Sequence, residues 1–151
     1  MSNGRTYLLV EDDDSDVTYA TREHHRAGDG RLLVVRDGLD AIKYLKGIGE
    51  YEDRARFPFP DAMLLDLSLP EMNGLQVLEW MRANPVETIR VLPVVVVSIG
   101  RYQPDAQKAR RLGVIGSVVK PLIWEEVTEI LRPCFNPPPP TPNPTGEQPS
   151  S

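Results

Sequence analysis

The hydrophobic residues of the chain fall into five short runs separated by longer stretches of mixed polarity. The best of these runs are nearly continuous valine and leucine, whereas a strand with one solvent-facing side would alternate apolar and polar residues. This pattern predicts parallel β-strands that are covered on both faces. The predicted strands lie at residues 7–10, 32–35, 62–65, 94–97 and 118–119.

The stretches that follow these runs carry apolar residues at helical spacing, which predicts one amphipathic helix after each strand. Strand and helix alternate five times, so we predict an α/β domain with a five-stranded parallel sheet. Right-handed crossovers would place helices on both faces of this sheet. The predicted inward-facing stripes are Val17, Ala20, His24 and Ala27; Leu39, Ile42 and Leu45; Leu75, Leu78 and Met81; Ala106, Ala109 and Leu112; and Val127, Ile130 and Leu131.

The composition narrows the function classes and marks a domain boundary. The 151 residues carry a net charge of −5 with no basic block, which argues against direct binding to nucleic acid or to an anionic membrane surface. A single cysteine, Cys134, and the lack of an export signal favour a reducing cytoplasm. Residues 133–151 hold eight of the fifteen prolines, so we predict a domain over residues 1–132 and a disordered, proline-rich tail after it.

Polar residues that could bind a metal ion or take part in a reaction follow four of the five predicted strands. Glu11 and Asp12 come after the first strand, and Asp66 comes after the third. Ser98 follows the fourth strand and Lys120 follows the fifth. Because ligands of open parallel sheets bind beyond the carboxyl ends of the strands, we expect these three acids, the hydroxyl and the ammonium group to share one edge of the sheet.

The acidic run in YLLVEDDDSD, residues 7–16, is compatible with two kinds of metal site. Alternate aspartates from Asp12 onward fit the first ligands of a calcium-binding loop, but that loop requires glycine at its sixth position, where this chain has Val17. The other reading joins Glu11 and Asp12 with Asp66. This set suits Mg²⁺, which binds few carboxylates and keeps water and phosphate oxygens as its other ligands. The remaining acids then open the first helix, whose dipole they suit.

Four motifs, VED, LLDLSLPEMNG, PVVVVS and VVKP, resemble those of the receiver domain of two-component response regulators, the CheY-like family. The resemblance covers roughly residues 5–132 and implies a flavodoxin-like, doubly wound sheet with strand order 2-1-3-4-5. It implies that Asp66 accepts a phosphoryl group, that Ser98 hydrogen-bonds this group and that Lys120 pairs with it. The residues implied to bind Mg²⁺ are Glu11, Asp12, Asp66 and, through its backbone carbonyl, Ser68.

The resemblance also implies a function and partners. We expect a single-domain switch, not an enzyme, that a sensor histidine kinase phosphorylates. The segment YLKGIGEYEDRARFPFPDAMLLDL, residues 44–67, is similar to the subgroup that partners bacterial phytochromes, so the expected kinase is a phytochrome. Output would occur through protein–protein interaction or phosphate relay. A homodimer through the fourth helix, fifth strand and fifth helix is one such interaction, with Tyr102 and Trp124 as candidate contacts.

Two positions depart from the family's pattern. Ile99 stands where a small residue is usual, and Ser117 stands where an aromatic residue normally precedes Lys120 by three positions. We expect Ile99 to crowd the space that the aromatic side chain normally fills, and the signal to pass through shifts of residues 99–105 instead. The alternative is a degenerate receiver that binds proteins without phosphorylation. A phosphatase of the haloacid dehalogenase type would require aspartate at the position of Ser68.

Overall fold

A computed structural model describes residues 4–100 and 104–136 of the chain. Its five strands form one parallel sheet in the order β2-β1-β3-β4-β5, which confirms the predicted fold class and strand order. Each predicted strand is present and begins and ends within two residues of its predicted position. The strands are β1 (Thr6–Val10), β2 (Arg31–Val35), β3 (Ala62–Asp66), β4 (Val94–Ser98) and β5 (Gly116–Val119).

Six α-helices lie in the described part of the chain, one more than the sequence predicted. They are α1 (Asp14–Ala27), α2 (Gly38–Lys46), α3 (Gly74–Arg82), α4 (Glu87–Arg90), α5 (Pro104–Arg111) and α6 (Trp124–Phe135); a short 3-10 helix, Gly49–Tyr51, follows α2. Helix α4 is the unpredicted one, so the fourth and fifth predicted helices correspond to α5 and α6. None of these helices is long and apolar enough to cross a membrane.

The hydrophobic core lies on both faces of the sheet. Strands β1, β3 and β4 are buried along their whole length because helices cover both sides. Leu8 and Val10 enter the cluster under α2, α3 and α5, whereas Tyr7 and Leu9 enter the cluster under α1 and α6. This two-sided burial explains why the strands read as continuous apolar runs.

Two predicted helix stripes are wrong at one position each. Leu39 is exposed, because α2 turns Ala41 and Tyr44 toward the core instead. Ala27 is also exposed at the end of α1. The residue that α1 buries one turn earlier is Glu23, whose carboxylate accepts the backbone N–H of Trp124 on α6.

The first and last residues of α6, Trp124 and Phe135, both differ from what the sequence predicted for them. Trp124 is only 2% exposed and packs edge-on against Tyr7 with ring centroids 4.9 Å apart, so it is not available as a dimer contact. At the other end, α6 continues beyond residue 132 to Phe135, whose ring packs against Tyr7 and beneath the guanidinium of Arg5. This packing extends the domain past its predicted end. Tyr102 and residues 137–151 lie outside the described residues.

The long segment between α2 and β3 is held by side-chain hydrogen bonds. Arg54 donates to the backbone carbonyls of Leu45 and Phe57 at 3.0 and 3.1 Å. The Tyr51 hydroxyl donates to an Asp40 carboxylate oxygen at 2.7 Å. These bonds satisfy polar groups that a segment with little regular structure would otherwise leave unpaired.

Candidate functional site

The carboxyl ends of β1, β3 and β5 bring Glu11, Asp66 and Lys120 together. The Glu11 amide continues the sheet ladder by donating to the Val35 carbonyl at 3.0 Å, and the Lys120 amide donates to the Ser98 carbonyl at 2.7 Å. Asp66 is the last residue of β3. The peptide bond from Lys120 to the following proline is cis. Each functional side chain is thus fixed by backbone that belongs to the sheet or directly extends it.

The ammonium group of Lys120 lies among three carboxylates. Its Nζ is 2.9 Å from Glu11 Oε1, 3.0 Å from Asp66 Oδ2 and 2.7 Å from Asp16 Oδ2. Burial alone favours the neutral amine, but the hydrogen bonds to these carboxylates outweigh it and raise the pKa of Lys120 above its usual value. A permanent positive charge therefore lies beside Asp66.

Glu11, Asp12 and Asp66 each offer a carboxylate oxygen, and these oxygens lie within 4.8 Å of one another. Glu11 and Asp66 are buried, whereas Asp12 is exposed. Burial, together with Asp66, raises the pKa of Glu11 to about 7 against the opposing effect of Lys120. Crowded oxygen ligands that resist full ionisation fit a hard divalent cation such as Mg²⁺, which would neutralise them.

The two oxygens of the Asp66 carboxylate have different partners. Oδ1 accepts a hydrogen bond from the Ser68 amide at 2.8 Å, and Oδ2 accepts one from Lys120. Beneath this residue, α3 approaches the backbone very closely, since a Cβ atom added at Gly74 would lie 2.3 Å from the Asp66 carbonyl oxygen. Gly74 therefore allows the helix to support the end of β3. The predicted role of the Ser68 carbonyl as a metal ligand stays a prediction.

Ser98 is buried at the end of β4, but its hydroxyl donates to the carbonyl of Gly100 at 3.1 Å. In the described structure the Ser98 hydroxyl has no hydrogen bond to the side chain of Asp66 or of Lys120, so its predicted bond to a phosphoryl group would require this hydroxyl to turn. The expectation that Ile99 crowds the site is wrong, because its side chain is exposed. Ser117 instead borders a cavity of about 120 Å³ under α5.

Asp16 is a site residue that was not predicted from the sequence, which placed this acid at the opening of the first helix. Asp13 caps α1 by accepting the Asp16 amide, which places the Asp16 side chain on the first turn. Positions 16, 20 and 23 share one helix face, and Ala20 and Glu23 on that face are buried. The one signal in the sequence is that position 16 lies one turn before Ala20, a predicted inward-facing residue, and this signal does not by itself separate an acid facing the sheet from one facing solvent.

Residues 8–132 match the family model described as "Response regulator receiver domain". The response regulator Rcp1 of Synechocystis sp. is 35% identical over 102 residues, which cover 67% of this chain and 66% of Rcp1. The aligned region thus spans slightly less than two thirds of that relative.

Two solved structures are similar over most of their length. The bacteriophytochrome response regulator RtBRR is 32% identical with a TM-score of 0.75, covering 91% of this chain and 86% of that one. The phosphorylated cyanobacterial phytochrome response regulator RcpA is 28% identical with a TM-score of 0.74, covering 89% of this chain and 96% of that one. These matches confirm both the resemblance and its phytochrome-associated subgroup.

Proposed function

This chain belongs to the response regulator receiver domain family, and we propose that it is a phosphoacceptor switch in which Asp66 receives a phosphoryl group from a sensor histidine kinase. One observation carries this proposal. The buried carboxylate of Asp66 lies 3.0 Å from the Lys120 ammonium and belongs to the acidic group with Glu11 and Asp12. A carboxylate with a fixed cation and a place for a second one is suited to attack a phosphoryl group.

In the proposed reaction a carboxylate oxygen of Asp66 attacks the phosphorus atom. A new P–O bond forms to Asp66 as the bond between phosphorus and the leaving group breaks, and the leaving group departs with the electron pair. Lys120 stays protonated and offsets negative charge on the phosphoryl oxygens. The Ser68 amide, which already donates to Asp66 Oδ1, holds the carboxylate in one orientation during the attack.

Glu11, Asp12, Asp66 and the Ser68 carbonyl are the residues that would hold Mg²⁺. When bound, the ion supplies positive charge to the phosphoryl oxygens. Glu11 is buried and its second oxygen accepts the Asp13 amide at 3.2 Å, so its orientation is fixed. Asp12 is exposed and is open to solvent, from which a cation and a phosphodonor arrive.

The proposed kinase is a bacterial phytochrome, supported by the similarity to RtBRR and RcpA. Phosphotransfer from a phytochrome kinase labelled on its histidine tests this partner.

The proposed output is protein–protein interaction or phosphate relay, including a homodimer through α5, β5 and α6, where Val119 and Ile123 are exposed. Sedimentation of the phosphorylated and unphosphorylated chain tests the dimer, and a monomer in both states contradicts it.

Incubation with acetyl phosphate and Mg²⁺, followed by intact mass measurement, tests the phosphoacceptor role. We expect the wild-type chain to gain one phosphoryl group and Asp66→Asn to gain none. Asp14→Asn is the matched control, because Asp14 is an aspartate whose side chain is 91% exposed and lies outside the acidic group. This control should gain the phosphoryl group normally, and replacing Mg²⁺ with a chelator should prevent the gain.

Two outcomes contradict the proposal. A wild-type chain that gains no phosphoryl group supports the alternative of a degenerate receiver that binds partners without phosphorylation. Repeated hydrolysis of a phosphate ester by the wild-type chain supports a phosphatase instead.

A further inference from the structure

The Asp16 carboxylate makes the shortest of the three contacts to the Lys120 ammonium. Its Oδ2 is 2.7 Å from Nζ, compared with 2.9 Å for Glu11 and 3.0 Å for Asp66. Lys120 donates hydrogen bonds to Asp16 and Asp66 and forms an ion pair with Glu11. Three carboxylates thus already surround the three N–H donors of the ammonium group, and any further acceptor competes with them.

A phosphoryl group on Asp66 adds oxygen acceptors beside the ammonium, so Lys120 must give up one of its partners to bind them. The three carboxylates differ in how easily water can replace the lost bond. The side chains of Glu11 and Asp66 are 2% and 6% exposed, whereas that of Asp16 is 37% exposed. An unpaired buried charge is far more unfavourable than one that water can reach. Breaking the contact with Asp16 therefore costs less free energy than breaking the contact with Glu11 or Asp66.

We propose that Asp16 is a positioning residue that holds Lys120 in the unphosphorylated protein and releases it when Asp66 carries a phosphoryl group. The inference rests on the proposed phosphoacceptor function. It adds that the Asp16 carboxylate competes with the phosphoryl oxygens for the Lys120 ammonium. Since the released bond exists only before transfer, Asp16 stabilises the unphosphorylated state relative to the phosphorylated state. It also links the occupancy of the site to the first turn of α1.

The test compares Asp16→Asn with Asp14→Asn by intact mass time courses with acetyl phosphate and saturating Mg²⁺. Both variants remove one negative charge from the first turn of α1, but Asp14 contacts Arg36 and not Lys120. We expect Asp16→Asn to raise the ratio of the phosphorylation and dephosphorylation rate constants roughly three- to tenfold, and Asp14→Asn to change it less than about twofold. Asp16→Glu, which keeps a carboxylate on the same turn, should return the ratio toward the wild-type value.

High salt separates the direct bond from a general charge effect. At about 1 M salt the screening length is roughly 3 Å, so an increase caused only by weaker repulsion of the phosphodonor would disappear. The increase in Asp16→Asn should persist. Equal effects of the two variants, a fall in the ratio for Asp16→Asn, or loss of its effect at high salt each overturn the inference.

A double-mutant cycle reports on the pair without any phosphorylation. Asp16→Asn, Lys120→Met and the double variant are compared by urea unfolding. We expect the effect of the double variant on the unfolding equilibrium constant to differ by about threefold or more from the product of the two single effects. Additive effects contradict the inference. A wild-type chain that gains no phosphoryl group contradicts the proposed function instead, and the cycle then decides whether Asp16 positions Lys120.

Discussion

The Glu23 carboxylate joins α1 to the start of α6, and its charge should contribute to stability. Its Oε1 accepts the backbone N–H of Trp124 at 3.0 Å and an Arg26 N–H at 2.7 Å, and its Oε2 accepts a second Arg26 N–H at 3.1 Å. No side chain caps α6 from the adjacent residue Ile123. Glu23 therefore replaces a local cap for α6, and we expect Glu23→Gln to destabilise the domain at neutral pH.

The magnitude follows from the pKa of Glu23, which the hydrogen bonds from Arg26 and from the Trp124 amide lower from 4.5 to about 2. This difference of about 2.5 pKa units corresponds to roughly 3.4 kcal/mol at about 1.36 kcal/mol per unit. The Arg26 side chain is 55% exposed, so water screens its contribution. We therefore expect Glu23→Gln to lower the free energy of unfolding by about 2 kcal/mol at pH 7.

The contribution of Glu23 to the free energy of unfolding should fall as the pH is lowered. The folded-state pKa of Glu23 lies below the unfolded value of 4.5, so its stabilisation is complete above pH 4.5 and is lost as the pH falls toward 2. The difference of about 2 kcal/mol between wild type and Glu23→Gln should shrink by more than half by about pH 3.5. Urea unfolding followed by circular dichroism at several pH values measures this difference directly.

Glu79→Gln is the matched control, because Glu79 is exposed on α3 and has no charged partner within 4 Å among the residues that the structure describes. Its effect should be below about 0.5 kcal/mol at every pH. A Glu23→Gln difference that is the same at pH 7 and at pH 3.5 would refute the reasoning, because it would show that the carboxylate charge is not what α6 requires.

Two further substitutions test the close contacts that support the site and the helix ends. Gly74→Ala would place a Cβ atom 2.3 Å from the Asp66 carbonyl oxygen. It should lower the free energy of unfolding, measured in urea, by about 1–3 kcal/mol and slow phosphorylation. The control Gly100→Ala, whose Cβ atom would meet nothing within 4 Å, should not destabilise the fold. Arg82 donates to the carbonyls of Arg90, Leu92, Leu112 and Gly113, so Arg82→Lys should lower the free energy of unfolding by about 2 kcal/mol; an effect no larger than that of the exposed Arg110→Lys would contradict this.

The strands could be predicted from the sequence because their signal is local. A parallel strand that is buried on both faces must be apolar at every position, and the runs at β1, β3 and β4 have no competing interpretation. The helices could be predicted as elements but not in full detail. The rotation of α2, which exposes Leu39 and buries Tyr44, depends on what the rest of the fold places against it. Helix α4 has only four residues, too few to show a stripe.

The site could be predicted for the same reason as the sheet, but only in part. Residues that end parallel strands must meet at one edge, so Glu11, Asp66 and Lys120 could be brought together from their positions alone. Asp16 and Glu23 instead reach their partners across more than 100 residues of sequence. Whether an acid on α1 faces solvent or the sheet depends on how the helix packs, and an acid on a buried face requires a partner that only the tertiary structure provides. For Asp16 this partner is Lys120. A residue that the sequence assigns to opening a helix therefore lies 2.7 Å from the ammonium group that the proposed phosphotransfer requires.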